Sequence, residues 1–441
     1  MICKNNTALK FLAGFAIFFS CSAIGQAQQL VSKADIITPA VPADITKSDD
    51  FLPALLKNHP AYFDSILKYQ KDWNVQIIYT QINRGANGIA ALQHHYFNVN
   101  AAKYFYPAST VKLPVVLLAL QKLNELKGNG IDLNTTMITE AAYSGQTAVY
   151  NDPTTPDGKP SIAQYIKKIL MVSDNDAFNR LYEFLGQEYI NSELHKKGYE
   201  DVQILHRLDI FLTEEENRRT NPLKFLDSNN NVLYLQNEQR NNAKYVQRND
   251  SIGKAFYKGK SLINEPMNSS KKNRISLEDL HHILMGLVFP NKVKSNQRFN
   301  ITEEDRKFVL KYMSQYPTES LYPPYASDTT NYWPAYCKFL LFGAEKGSLP
   351  DNIRIFNKVG DAYGHLIDVA YVADYKNKIE FFVSAAIYCN SDGILNDDKY
   401  DYKTIGLPFM KNLGKVLYDY ELKRAYKIKP DLSAVTFAYD K

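Results

Sequence analysis

Four Ser-x-x-Lys sequences occur in the chain, beginning at Ser65, Ser109, Ser251 and Ser269. On a helix this spacing puts an alcohol and an amine on one face, with Cβ atoms about 5–6 Å apart. A neutral lysine so placed takes the serine proton, and the helix N-terminus favours the negative charge that develops nearby. Only Ser109 has surroundings suited to that chemistry. It follows Tyr106-Pro107-Ala108, stands where a helix opens, and leads into the apolar run Val111 to Leu120. A buried helix start turns backbone N–H groups toward a reacting atom and desolvates Lys112, lowering its pKa toward that of a useful base. The plainer alternative is a serine that merely caps the helix, with a lysine that reaches solvent.

Two further motifs bear on that choice. Ser173-Asp174-Asn175 lies between helical stretches, and Lys358-Val359-Gly360 ends a strand just before a turn marked by Asp361 and Gly364. Each alone reads as a polar loop or a hairpin corner. Together, in the order Ser-x-x-Lys, Ser-Asp-Asn, Lys-x-Gly, they resemble the active-site signature of class A β-lactamases and penicillin-binding proteins. Tyr106 to Lys112 is similar to the nucleophile region of class A enzymes. Ile162-Ala163-Gln164-Tyr165 through Asn175 is similar to their second motif, and His206-Arg207-Leu208-Asp209 to the lead into their omega loop. The resemblance runs from about Phe51 to Tyr426, apart from a polar stretch described below.

The resemblance implies a serine hydrolase in which Ser109 is acylated and Lys112 is the general base. Ser173 would relay a proton to the leaving nitrogen, Asn175 would bond the substrate's amide, and Lys358 would supply positive charge to a carboxylate and to Ser173. The backbone N–H groups of Ser109 and Asp361 would form the oxyanion hole. Tyr143, spaced from Ser109 much as the family's gateway aromatic is, would wall the cleft.

The sequence departs from the family at two positions. Counting onward from Asp209, the place of the deacylating glutamate holds Leu212, which cannot activate water. Glu214, Glu215 and Glu216 follow closely and read either as substitutes or as the solvated start of a helix. Between Lys358 and Gly360 a hydroxyl residue is expected, and Val359 stands there; His365 is the candidate carboxylate partner in its place. Three readings therefore compete. They are β-lactam hydrolysis, a penicillin-binding or peptidase-like activity on cell-wall peptides, and a non-catalytic binding protein of the same fold. The intact set of Ser109, Lys112, Ser173, Asn175 and Lys358 argues against the last.

The elements that must position these residues follow from periodicity. Apolar positions from Phe51 to Trp73 recur at helical intervals, interrupted at Pro60, and Val75 to Tyr79 reads as a strand, with a second near Tyr96 to Val99. Helices are expected from Thr110 to Leu126, Ile162 to Leu185, Leu277 to Leu287, Glu303 to Tyr316 and Phe409 to Tyr426. Strands are expected at Ile353 to Lys358, Leu366 to Ala373 and Ile379 to Ile387. Strands at both ends with helices between them predict an α+β (mixed α/β) fold. It has one antiparallel sheet of about five strands flanked by helices, with an all-helical lobe inserted; this is the β-lactamase/transpeptidase-like arrangement that the resemblance implies. Residues 222–274, rich in Asn, Lys and Gln, read as a polar insertion in a catalytic domain spanning 51–441.

The first 27 residues have a basic start, an apolar run from Phe11 to Phe19 too short to span a membrane, and a small-x-small ending at Gly25-Gln26-Ala27. That is a secretory leader cleaved after Ala27; the competing reading is a lipid anchor at Cys21. Residues 28–50 read as a tether. Either way the protein leaves the cytoplasm for the periplasm or beyond, or for a membrane surface. Without the leader only Cys337 and Cys389 remain, and two thiols so far apart read as unpaired core residues at least as well as a bridge. A formal net charge of +5, partly within the leader, is too weak and dispersed for nucleic acid. The adjacent pairs His94-His95 and His281-His282 do not converge on one ion, and neither HxxxH nor HExxH occurs, so no metal or cofactor is expected. The expected partner is a small β-lactam or peptide-like substrate.

Overall fold

The computed structural model describes residues 43–440, so the leader and most of the tether lie outside the described residues. Helices α1 (Phe51–Lys57) and α2 (Pro60–Lys68) come first, with Pro60 at the opening of α2, where its missing N–H costs nothing. Strands β1 (Gln76–Arg84) and β2 (Ala90–Phe97) follow as a hairpin. A 3-10 turn at Ala108–Val111 runs into α3 (Lys112–Glu125), followed by the short strand β3 (Thr136–Thr139). The helical lobe continues with α4 (Ile162–Val172), α5 (Asn175–Leu185), α6 (Gln187–Lys196) and α7 (Glu214–Arg218). Beyond the segment 222–274 come α8 (Leu277–Val288) and α9 (Glu303–Ser314).

The segment expected to be a polar insertion is not unstructured. It holds six short strands: β4 (Leu223–Leu226), β5 (Val232–Gln236), β6 (Ser251–Ile252), β7 (Ala255–Lys258), β8 (Ser261–Ile263) and β9 (Met267–Asn268). β4 pairs with both β3 and β5, and β6 pairs with β9. Two to five residues per strand leave no periodic run long enough to read, so the pairing is decided by partners distant in sequence.

The chain returns to the sheet with β10 (Ile353–Ala362), β11 (His365–Asp374) and β12 (Ile379–Tyr388), passes the two-residue β13 (Ile394–Leu395) beside β7, and ends in α10 (Leu407–Lys423). The expected antiparallel sheet has the order β10-β11-β12-β1-β2, which puts β10 on an edge. Strand alternation sends successive side chains to opposite faces. Ile78, Ile82, Phe356, Ile367, Val369, Tyr371 and Phe382 join the core shared with the helical lobe. Ile77, Tyr79, Ile355, Val359, Leu366, Val372 and Phe381 join the core under α1, α2 and α10. A sheet buried on both faces needs such nearly continuous apolar runs.

Helix α3 is buried along its length from Lys112 to Leu123, as a helix apolar all round must be. Residues 44–50, read as the end of the tether, are in fact bound to the domain. Asn100 Nδ2 donates to Asp44 (2.6 Å) and Thr46 (3.0 Å), and Lys47 bridges Val99. Asp49 accepts the Phe51 N–H and contacts His95. Cys337 and Cys389 are buried free thiols. No helix among the described residues is long and apolar enough to cross a membrane.

On α10, Gly414 lies against the backbone of Leu341, where an added Cβ would stand 2.3 Å from the amide nitrogen. Gly414→Ala should therefore cost about 1–3 kcal/mol in urea denaturation, because neither backbone yields easily. A midpoint equal to the parent's would contradict that packing.

Candidate active site

The chain reaches Ser109 through Ala108, whose φ of 47° lies in the left-handed region. For a residue with a Cβ such strain costs about 1–3 kcal/mol and persists only where the surroundings impose it. Neither the 3-10 turn nor α3 has a side-chain cap, so Ser109 is not a capping serine. Strand β10 passes over this turn at Gly360. A Cβ there would stand 2.7 Å from the Pro107 carbonyl oxygen, 2.9 Å from the Ser109 nitrogen and 3.0 Å from the Thr110 nitrogen. Glycine is what lets the strand come so close, and it brings the segments carrying the Ser109 and Asp361 N–H groups into backbone contact.

Lys112 has no solvent exposure at all. Its Nζ donates to the Ser173 carbonyl oxygen at 2.5 Å, to Asn175 Oδ1 at 2.7 Å and to Ser173 Oγ at 3.3 Å, which accounts for every hydrogen an ammonium carries. From the other side Lys358 Nζ donates to Ser173 Oγ at 2.7 Å and to the Val359 carbonyl oxygen at 2.8 Å. Ser173 Oγ thus stands between two amines whose acceptors are all neutral. Burial, followed by the charge of Lys358, holds Lys112 far below the ordinary lysine range. Burial brings Lys358 down to about 8.

The helix expected from Ile162 to Leu185 is two helices. Ser173, at φ 61°, closes α4, and the Asp174 carboxylate accepts the Ala177 N–H at 2.8 Å to open α5. A serine and an aspartate favour such breaks because their side chains compete for backbone hydrogen bonds. The break turns Ser173 and Asn175 toward Lys112. Further along α5, Asn179 and Glu183 follow Asn175 at intervals of four and share its face. Asn175 Nδ2 donates to Asp209 at 3.3 Å, and Asn179 clasps the Leu208 backbone through two bonds of 2.9 Å. Buried Glu183 binds Arg207 at 3.0 Å and Arg180 at 3.1 Å. Sequence reasoning missed Asn179 and Glu183; the four-residue spacing of Asn175, Asn179 and Glu183 along α5 was the available signal.

A second buried group supports β10 from below. Asn357 accepts from Lys338 Nζ at 2.7 Å and donates to Asp368 at 2.8 Å, and Asp368 in turn accepts the Leu340 N–H at 2.9 Å. This fixes residues 337–340 beneath Lys358. Nothing in their sequence pattern announces it.

The structure corrects several expectations. His365 is buried against Phe105 and Tyr388, and burial lowers its pKa to about 3. It is a neutral core histidine and not a carboxylate partner. Val359 faces the core under α10, opposite in alternation to Lys358, and the lost hydroxyl is replaced by apolar packing. Tyr143 lies under the Arg219 guanidinium, 4.2 Å from the ring centre, and its hydrogen-bond and ring contacts among the described residues include none of the lysine–serine cluster.

The three glutamates form the first turn of α7. Glu216 makes a capping box with Thr213 and accepts from Ser144, Glu215 is held by Arg240 and Arg219, and Glu214 by Lys271 and Arg218. The hydrogen bonds from Arg240 and Arg219 lower Glu215 to about 2. Leu212 occupies the loop itself and stands against Gly145.

An antiparallel sheet whose edge strand carries a lysine to a serine at the mouth of a buried lobe helix is the architecture of β-lactamase-like serine hydrolases. The model of the beta-lactamase enzyme family matches residues 61–420, and the chain belongs to that family. Among solved structures, the class A beta-lactamase from Clostridium kluyveri is 14% identical, with 82% of this chain and 98% of that chain covered and a TM-score of 0.44. The beta-lactamase from Sphaerobacter thermophilus is 12% identical, with 83% and 98% covered and a TM-score of 0.42. A halotolerant bacterial beta-lactamase is 15% identical, with 82% and 99% covered and a TM-score of 0.43. No curated protein matches the chain.

Gly360→Ala tests the contact between β10 and the nucleophile turn. The methyl group must push the strand away from Ser109, and we expect a loss of about 1–3 kcal/mol in equilibrium unfolding. An unperturbed amide spectrum around Ser109 in this variant would refute the close seating.

Proposed function

We propose that the protein acylates Ser109 with a β-lactam or a related amide and releases the acyl group by hydrolysis. The observation that carries this reading is the Ser173 hydroxyl held between the Lys112 and Lys358 amines. In the reaction Ser109 Oγ attacks the carbonyl carbon while its proton passes to neutral Lys112. The tetrahedral oxyanion sits between the Ser109 and Asp361 N–H groups. Collapse breaks the carbon–nitrogen bond, and the proton travels from Lys112 through Ser173 to the leaving nitrogen. Lys358, still charged, attracts the substrate carboxylate and keeps Ser173 oriented. Asn175, tied to Lys112 and Asp209, presents its amide to the acyl side chain.

Deacylation needs a base for water. Leu212 cannot serve, and carboxylates held by arginines, lysine or a cap, with lowered pKa values, are poor bases. This favours a long-lived acyl-enzyme, and with it the second reading: a penicillin-binding or peptidase-like protein whose natural substrate is a cell-wall peptide. The chain acts outside the cytoplasm, carried there by the leader at 1–27. That leader is either removed after Ala27 or replaced by lipid on Cys21, and the two outcomes differ in the mass of the mature protein.

Mass spectrometry after incubation with benzylpenicillin should show one added penicillin on the wild type and none on Ser109→Ala. A transient adduct with turnover establishes hydrolysis, a lasting one establishes the penicillin-binding reading, and no adduct overturns both. The rate of acylation against pH gives a second check. Raising pH first increases the neutral fraction of Lys112, whose pKa lies below the ordinary range. Beyond about 8 it discharges Lys358, so the rate falls on that side. Lys358→Arg keeps its charge at alkaline pH and should abolish the falling limb; an unmoved limb would remove Lys358 from this role.

A further inference from the structure

A cavity of about 840 Å³ opens between the loop 205–217, the segment 245–272 and Tyr363. It adjoins the catalytic group at three points. Tyr106 stands three residues before Ser109, Tyr363 two residues after Asp361, and Asp209 binds Asn175. The wall nearest the nucleophile is aromatic: Tyr106 stacks on His206 with ring centres 6.1 Å apart and meets Tyr363 edge-on at 5.0 Å.

Four cations line the cavity, and three have carboxylate partners. Arg207 is bound to Glu183, Arg248 to Asp201 and Lys271 to Glu214. Lys272 differs. Its Nζ lies 4.7 Å from the centre of the Tyr363 ring and 5.9 Å from that of Tyr106, and its polar contact is the Tyr363 hydroxyl at 3.3 Å. Among the described residues no carboxylate pairs with it. His206 cannot take the anion's place or add charge. Its Nδ1 hydrogen goes to the Arg207 carbonyl oxygen at 2.6 Å and its Nε2 accepts the Asn273 N–H at 3.2 Å, so the ring is held neutral, in keeping with a pKa that burial lowers to about 4.

We propose that this cavity is a subsite for a substrate group that joins a carboxylate to a flat apolar ring. The carboxylate pairs with Lys272 and the ring lies among Tyr106, Tyr363 and His206. The assignment of that group as the acyl part of the substrate rests on Ser109 being the nucleophile. The half-exposed ammonium lies over two aromatic faces and, among the described residues, has no carboxylate partner, which is the condition for recognising an anion. The segment 245–272 supplies Lys272, so the polar stretch of the sequence contributes specificity to the adjacent chemistry.

Phenylacetate and phenylacetamide share the ring and differ in the carboxylate, and they report on the site without any acylation. In NMR titrations of the wild type, phenylacetate should bind about five-fold more tightly than phenylacetamide, the size of a partly exposed ion pair. Lys272→Met should erase that preference while phenylacetamide still binds and the melting temperature holds. Lys271→Met, whose ammonium is already taken by Glu214, should leave the preference intact. Equal affinities in the wild type, a preference that survives Lys272→Met, or no binding of either fragment would overturn the proposal. Failure of penicillin to acylate Ser109 alongside a Lys272-dependent preference would instead sink the catalytic reading and leave the subsite standing.

Discussion

Two ammonium groups lie out of water with only neutral acceptors between them, and much of the structure around the cleft follows from that. Lys112 and Lys358 share the Ser173 hydroxyl, and the remaining acceptors are the Ser173 and Val359 carbonyls and the Asn175 amide. Burying a cation without a counter-charge is costly, and the cheapest relief is loss of a proton. The cluster therefore biases one amine toward its neutral form, the state that the proposed reaction requires of Lys112. A carboxylate placed against Lys112 would instead favour the charged form of the amine.

Holding that arrangement takes rigid support from every side. Helix α3 is buried along nearly its whole length, so Lys112 cannot swing to solvent. The break at Ser173-Asp174 directs one carbonyl, one hydroxyl and one amide at the same nitrogen. Face-sharing Asn175, Asn179 and Glu183 on α5 tie that break to the loop 205–212 through Asp209, Leu208 and Arg207. On the far side, Asn357 and Asp368 brace the edge strand that brings Lys358 in. Strain at Ala108 and the bare backbone at Gly360 allow the nucleophile turn and the strand to meet.

The departures from the family pattern acquire physical meaning in this setting. Val359 is a core residue because alternation turns it away from the cleft, so its lack of a hydroxyl says more about packing under α10 than about the substrate. His365 lies on the lobe face with Ile367 and Val369 and is instead shut in by Phe105 and Tyr388. Leu212 is different, since its loop does border the cavity, and the glutamates beyond it are consumed by the first turn of α7. On the proposed reading the site serves to form an acyl-enzyme, and no unengaged carboxylate on the described loop stands ready to break one down.

The sequence alone singled out Ser109 and Lys112 as candidates, the second and third motifs and the order of the elements. These rest on short-range spacing: an alcohol and an amine one turn apart, a helix-breaking Ser-Asp pair, strands with unbroken apolar runs. It also carried the fold class, because strands at both termini around a run of helices leave few ways to close one sheet. The tertiary structure decided what depended on partners far along the chain. Examples are the binding of residues 44–50 to Val99 and Asn100, and the short strands of 222–274, each too brief to pattern. The fates of His365 and of the three glutamates belong here too, as does the approach of Lys272 to Tyr106 across more than 160 residues. A side chain's type is written locally, but whether it is buried, paired or charged is set by what the fold places opposite it.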